Sequence, residues 1–170
     1  MIEDDRNLPP VLTALHRLEF DYDDGEGMDF EPYDAFMSAR ETESWIRAWT
    51  GNKALTGAEY RIFGQDGTGG YAAIWLARPG AALLAQPIVF FGSEGELAVI
   101  AADFADYLWL LAGGLGPYEA ASGRDRGPSA PFTAFAREHA PAAEKSASEV
   151  LARARAAFPD FEADVRARCG

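Results

Sequence analysis

The sequence predicts an α+β fold, an antiparallel sheet laid out as a β-hairpin meander and packed with flanking helices. Three observations carry that prediction. Strand-like runs occur at EYRIF, YAAIWLA, PIVFF and ELAVIA, and glycine-bearing turns join them in pairs. Stripes with helical spacing lie before and after this block rather than between its strands. The chain has 170 residues, 48% of them apolar, which suits one globular domain over 1–170 with a sizeable core.

The elements follow in order. NLPPVLTALHRLEF predicts a short helix with proline in its first turn and Val11, Leu12, Leu15 and Leu18 as its apolar stripe. DYDDGEGMDFEPYD is the most acidic segment and has no apolar period, so it reads as an exposed loop. SARETESWIRAWTG predicts an amphipathic helix, with Ser38 and Glu41 spaced as a capping box and Gly51 as its stop. The strands EYRIF and YAAIWLA flank FGQDGTGG, and a connection leads to PIVFF and ELAVIA, joined through GSEG. Asp103 caps the next predicted helix, FADYLWLLAGG, which places Asp106 in its first turn and ends at Gly113 and Gly114. GPYEAASGRDRGPSAP reads as a loop. Helical segments near 131–139 and 142–168 close the chain, and Pro159 breaks or kinks the second.

The glycine-rich stretch 63–77, FGQDGTGGYAAIWLA, invites comparison with a phosphate cradle. Such a loop follows a strand and opens a helix, whose amides face the anion. Here a strand-like run follows instead, no lysine follows the glycines, and the spacing matches neither known fingerprint. A hairpin turn is the better reading, with at least one of Gly67, Gly69 and Gly70 at positive φ.

Charge narrows the partners. The formal net charge is −12, which argues against nucleic acid or an anionic membrane and suits a basic protein. Cys169 is the only cysteine, so no internal disulfide forms. The start, MIEDDRNLPP, is acidic where a signal peptide is basic and then apolar, and no run approaches a membrane span, so a cytoplasmic protein is expected.

Little in the sequence carries chemistry. The acidic loop does not match a calcium-binding EF-hand: counted from Asp21, position six is Glu26 and position twelve is Pro32. His16, expected on the polar side of the first helix, and His139 belong to no metal-ligand pattern. Cys169 lies where chains fray, and no nucleophile elbow is present. No catalytic residue, metal ligand or cofactor is assigned. The four tryptophans, Trp45, Trp49, Trp75 and Trp109, all fall in predicted elements, and core packing is expected of them.

The order of the central segment, EYRIFGQDGTGGYAAIWL followed by PIVFFGSEGELAVIAADFADYLWLLAGG, resembles the SUKH superfamily, known also for fungal Smi/Knr-type members. Phe63, Asp66, Gly67, Gly69 and Tyr71 match that family's strand and "DGSG" turn. Pro87 to Phe91 match the strand written "PVY". Asp103-Phe104 stands for the helix-opening "SF", and Tyr107-Leu108 for "FL". The resemblance covers about residues 30–114. Asp103 replaces the usual serine, a conservative change between two good caps. The segment after Gly114 is longer and richer in arginine and alanine than the family pattern.

The resemblance implies helices packed on an antiparallel sheet, with no shared active site. It also implies a bacterial immunity protein, which binds and neutralises a cognate toxin domain of nuclease or deaminase type. An acidic chain would steer toward such a basic partner. The partner-binding candidates are Asp21, Tyr22, Asp23, Asp24, Glu26, Asp29, Phe30, Glu31 and Tyr33. Two rivals stand beside this reading: a small-ligand or regulatory protein-binding module on the same fold, and a metal-dependent enzyme using the carboxylates of 21–31.

Overall fold

The computed structural model describes residues 6–170, so the acidic start MIEDD lies outside the described residues. The fold is α+β. Five antiparallel strands form one sheet in the order β1 to β5: Glu31–Pro32, Tyr60–Gln65, Tyr71–Trp75, Ile88–Phe91 and Leu97–Ala101. Seven α-helices flank it among the described residues: α1 Pro10–Leu15, α2 Ala39–Thr50, α3 Phe104–Ala112, α4 Pro117–Ala121, α5 Ala130–His139, α6 Ala147–Ala157 and α7 Phe161–Ala167.

Both faces of the sheet are buried, so alternation along the strands sorts residues between two cores rather than between core and water. Phe63, Ala72, Ile74, Ile88, Phe90 and Ile100 face the first core, together with α1, α3 and α5. Tyr60, Ile62, Ala73, Val89, Phe91, Leu97 and Val99 face the second, with Ile46 of α2 and Phe161 and Val165 of α7. The tryptophans serve these cores as expected. Trp45 lies edge-on to Phe91 at 4.9 Å, Trp49 donates to the Gly92 carbonyl, and Trp109 donates to the Ala140 carbonyl.

The β2–β3 and β4–β5 hairpins use the same turn. Asp66 N–H bonds the Gly70 carbonyl in one, and Gly92 N–H bonds the Glu96 carbonyl in the other. Each three-residue loop ends on a left-handed glycine, Gly69 (φ 96°) or Gly95 (φ 93°), the conformation a short bulged hairpin requires. The glycine-rich stretch is therefore a turn, and a strand follows it. Its amides already have carboxylate partners: Gly67 bonds Asp29, and Thr68 and Gly70 bond the buried Asp66.

Helix ends follow their capping residues. The Ser38 hydroxyl accepts from Glu41 N–H, and the Asp103 carboxylate accepts from Asp106 N–H. Ser146 and Glu149 form a reciprocal capping box at α6, so that helix begins at Ala147, later than the expected start near 142. The break at Pro159 separates α6 from α7.

The segment after Gly114 completes the fold. α6 crosses the β5 edge, placing Val150 in the first core and Ala154 in the second. Asp106 on α3, only 1% exposed, holds it there through Lys145 at 2.5 Å and Arg153 at 2.6 Å. Beyond α7, Arg168 pairs with Glu59, and Gly170 N–H bonds the Thr50 carbonyl at the end of α2.

Candidate functional site: the acidic loop

Residues 18–39 contain eight carboxylates and no lysine or arginine. The chain closes on itself within this run. Met28 N–H bonds the Asp21 carbonyl at 2.8 Å, and the Tyr22 carbonyl accepts from Gly25 and Gly27. The Asp21 carboxylate accepts from Asp23 N–H at 2.9 Å. Asp23 (φ 47°) and Asp24 (φ 50°) are the only non-glycine residues at positive φ among those described. Aspartate tolerates this region better than most residues because its short carboxylate bonds locally. A Cβ at Gly27 would sit 2.1 Å from the Asp21 carbonyl oxygen, so only glycine fits the closure.

Arg126, from the loop between α4 and α5, clasps the turn. Its guanidinium donates to the Gly25 carbonyl at 2.7 Å and the Gly27 carbonyl at 3.3 Å. The clasp takes backbone carbonyls and leaves Asp21, Asp23, Asp24 and Glu26 of the turn exposed. A cleft of about 380 Å³ opens beside it. Glu19, Asp21, Asp23 and Glu26 line it with carboxylates, and Met28, Pro131 and Phe132 contribute apolar wall.

The candidate residues separate into two groups. Asp21, Tyr22, Asp23, Asp24 and Glu26 are exposed together on the clasped turn. Tyr22, at 57%, is the only exposed large hydrophobic residue among those described. Glu31 is exposed in β1, where Gln65 reaches it at 3.4 Å. The others build the fold. Phe30 is 7% exposed and packs against Phe20 and Phe63, so it is a core residue and offers no aromatic anchor to a partner. Tyr33 is half-buried, and its hydroxyl donates to Gln65 at 2.5 Å. Asp29 ties the loop inward: its N–H bonds Glu119, and its carboxylate accepts from Gly67. The expected exposed loop is thus interrupted: Met28 and Phe30 dip into the first core, while the turn before them and Glu31 and Asp34 after them stay exposed.

His16 is not on a polar face. It ends α1 half-buried, with Nδ1 2.7 Å from the Tyr33 carbonyl and its ring among Phe20, Phe30 and Phe63. Burial lowers its pKa below 6.5, partly opposed by the Tyr33 carbonyl and Asp34. Glu119 is 2% exposed, and burial raises its pKa against the bonds it accepts from Asp29 and Gly116 N–H. Arg126 and Glu119 carry no local signal in the sequence. They act across about a hundred and ninety residues of separation respectively, which only the folded chain reveals.

No three His, Cys, Asp or Glu side chains converge as metal ligands among the described residues. His139 lies against the Phe135 ring at the end of α5, and the Cys169 thiol contacts the Val165 carbonyl. No helix among the described residues is long and apolar enough to cross a membrane. No protein-family model matches the chain, no curated protein matches it, and no solved structure matches it.

Proposed function

We propose that this chain is a non-enzymatic, cytoplasmic immunity protein of SUKH type that binds a basic toxin domain through the turn at residues 21–26. The observation that carries the docking site is Tyr22. A large aromatic ring stands in solvent on a clasped loop, surrounded by carboxylates. Such a ring is an anchor of the kind that holds complexes together, and the carboxylates supply the field that brings a cationic partner to it. The toxin assignment rests on the family resemblance of residues 30–114, and the acidic balance of the chain agrees with it.

The test is a growth and binding assay with the product of a neighbouring toxin gene. Co-expression of this chain restores growth, and the purified pair forms a complex. Joint replacement D23N, D24N and E26Q keeps residues that tolerate the left-handed turn and removes three charges. It slows association at low salt by about tenfold or more. Tyr22→Ala mainly speeds dissociation. A toxin that stays lethal beside the wild-type chain overturns the immunity reading. A complex whose association rate ignores the triple replacement overturns the docking site.

A further inference from the structure

The two edges of the sheet are treated differently. At the β1 edge the chain continues alongside β2, with Tyr33 N–H bonded to the Phe63 carbonyl and Met37 N–H to the Ile62 carbonyl. Pro32 stands within that two-residue strand, where no further strand can use its nitrogen. At the β5 edge no further chain runs alongside Leu97 to Val99; helices flank it instead, and Leu97 and Val99, 9% and 5% exposed, lie at the floor of a groove between them. The bond from Gly92 N–H to the Glu96 carbonyl makes those two a hydrogen-bonded pair. Antiparallel alternation then makes Phe90 and Ala98 the next bonded pair and turns the N–H and C=O groups of Leu97 and Val99 outward. Neither residue makes a backbone hydrogen bond outside the sheet among the described residues.

Leu97, Ala98 and Val99 line a groove of about 430 Å³ between Ala121 at the end of α4 and the α6–α7 corner. Phe158 and Phe161 supply apolar wall. The two charges in the groove differ. Glu162 is already paired with Arg166 at 3.1 Å, whereas Arg155 is exposed and has no ion-pair partner among the described residues.

We infer that this groove takes an extended segment of a partner protein, which adds to the β5 edge as a further strand and sets an acidic side chain against Arg155. Backbone donors and acceptors in a row select an extended peptide backbone, and main-chain bonds supply the affinity. At about 3.4 Å per residue, the open stretch pairs with some three residues of the incoming strand. The free guanidinium of Arg155 complements a carboxylate, ideally by two parallel hydrogen bonds. This site does not use the acidic turn, so it stands or falls separately from the docking proposed above.

The probe is a displayed library of random linear ten-residue peptides, selected on the wild-type chain. Selected peptides carry an acidic residue at one recurrent position. Their binding slows amide hydrogen exchange at Leu97 and Val99, and Arg155→Glu weakens it by about tenfold or more. Three results overturn the inference: no peptide is selected; selected peptides protect amides elsewhere and ignore Arg155→Glu; or the chain alone dimerises with concentration-dependent protection of Leu97 and Val99, which gives the edge to a second copy.

Discussion

Replacing Asp106 by asparagine tests what holds α6 across the sheet edge. The carboxylate is 1% exposed and takes Lys145 on one oxygen and Arg153 on the other. Asparagine keeps the shape and removes the charge. Two charge-assisted bonds, each worth about 1.5–3 kcal/mol, are weakened or lost. Arg153 is half exposed and recovers solvation easily, whereas Lys145 is 19% exposed and does not. The net cost is therefore about 3 kcal/mol, the lower end for breaking a buried pair. For 170 residues the unfolding entropy is about 360 cal/mol/K, so this cost lowers Tm by about 8 °C. Arg153→Met leaves Asp106 bonded to Lys145 and costs about 1 kcal/mol, or roughly 3 °C. Calorimetry on the two variants gives the comparison. If Asp106→Asn melts within 1 °C of wild type, or if Arg153→Met loses as much, the ion cluster is not what secures α6.

Phe30→Ala costs about 3–5 kcal/mol in urea titration because it empties a core site, whereas Tyr22→Ala stays within about 0.5 kcal/mol of wild type. Gly27→Ala forces a Cβ toward the Asp21 carbonyl and opens the acidic turn. Limited proteolysis between 21 and 28 then accelerates several-fold. His16 titrates lower in the folded chain than its ordinary 6.5, so between those two values the unfolded chain binds more protons. Its contribution to stability is whole above pH 6.5 and is lost as pH falls below it. His16→Gln therefore shows a smaller drop in urea midpoint between pH 7.5 and 5.5 than wild type does.

The strands were legible because their turns were. Gly69 and Gly95 mark two hairpins whose flanking residues are β-prone, and period-two patterning then assigns Tyr60 and Ile62 to one face and Phe63 to the other. The helix ends at Ser38 and Asp103 were legible from their caps. What escaped depends on distant contacts. β1 is two residues long and exists because β2 lies beside it. α4 is a five-residue helix inside a segment of loop-like composition, held by Glu119 reaching Asp29. Phe30 was obscured by the charges around it, since a buried ring between acidic neighbours has no periodic partner in sequence. The exposed turn at 21–26 was visible as charge, but the Arg126 clasp that shapes it was not.

The placement of α6 and α7 also sets a timetable. Sixty residues separate Ala101, the end of the sheet, from Phe161, which covers its second face. At about 5–20 residues per second, a ribosome takes some 3–12 s to supply that stretch. During this interval the sheet can pair and receive α2, yet Val89, Leu97 and Val99 wait for α6 and α7. The nascent chain thus presents an apolar surface beside an unfinished edge, the kind of surface that chaperones hold and that aggregates without them. Slowing translation between codons 102 and 160 should lengthen this wait and lower the soluble yield, while the finished protein keeps the same melting temperature.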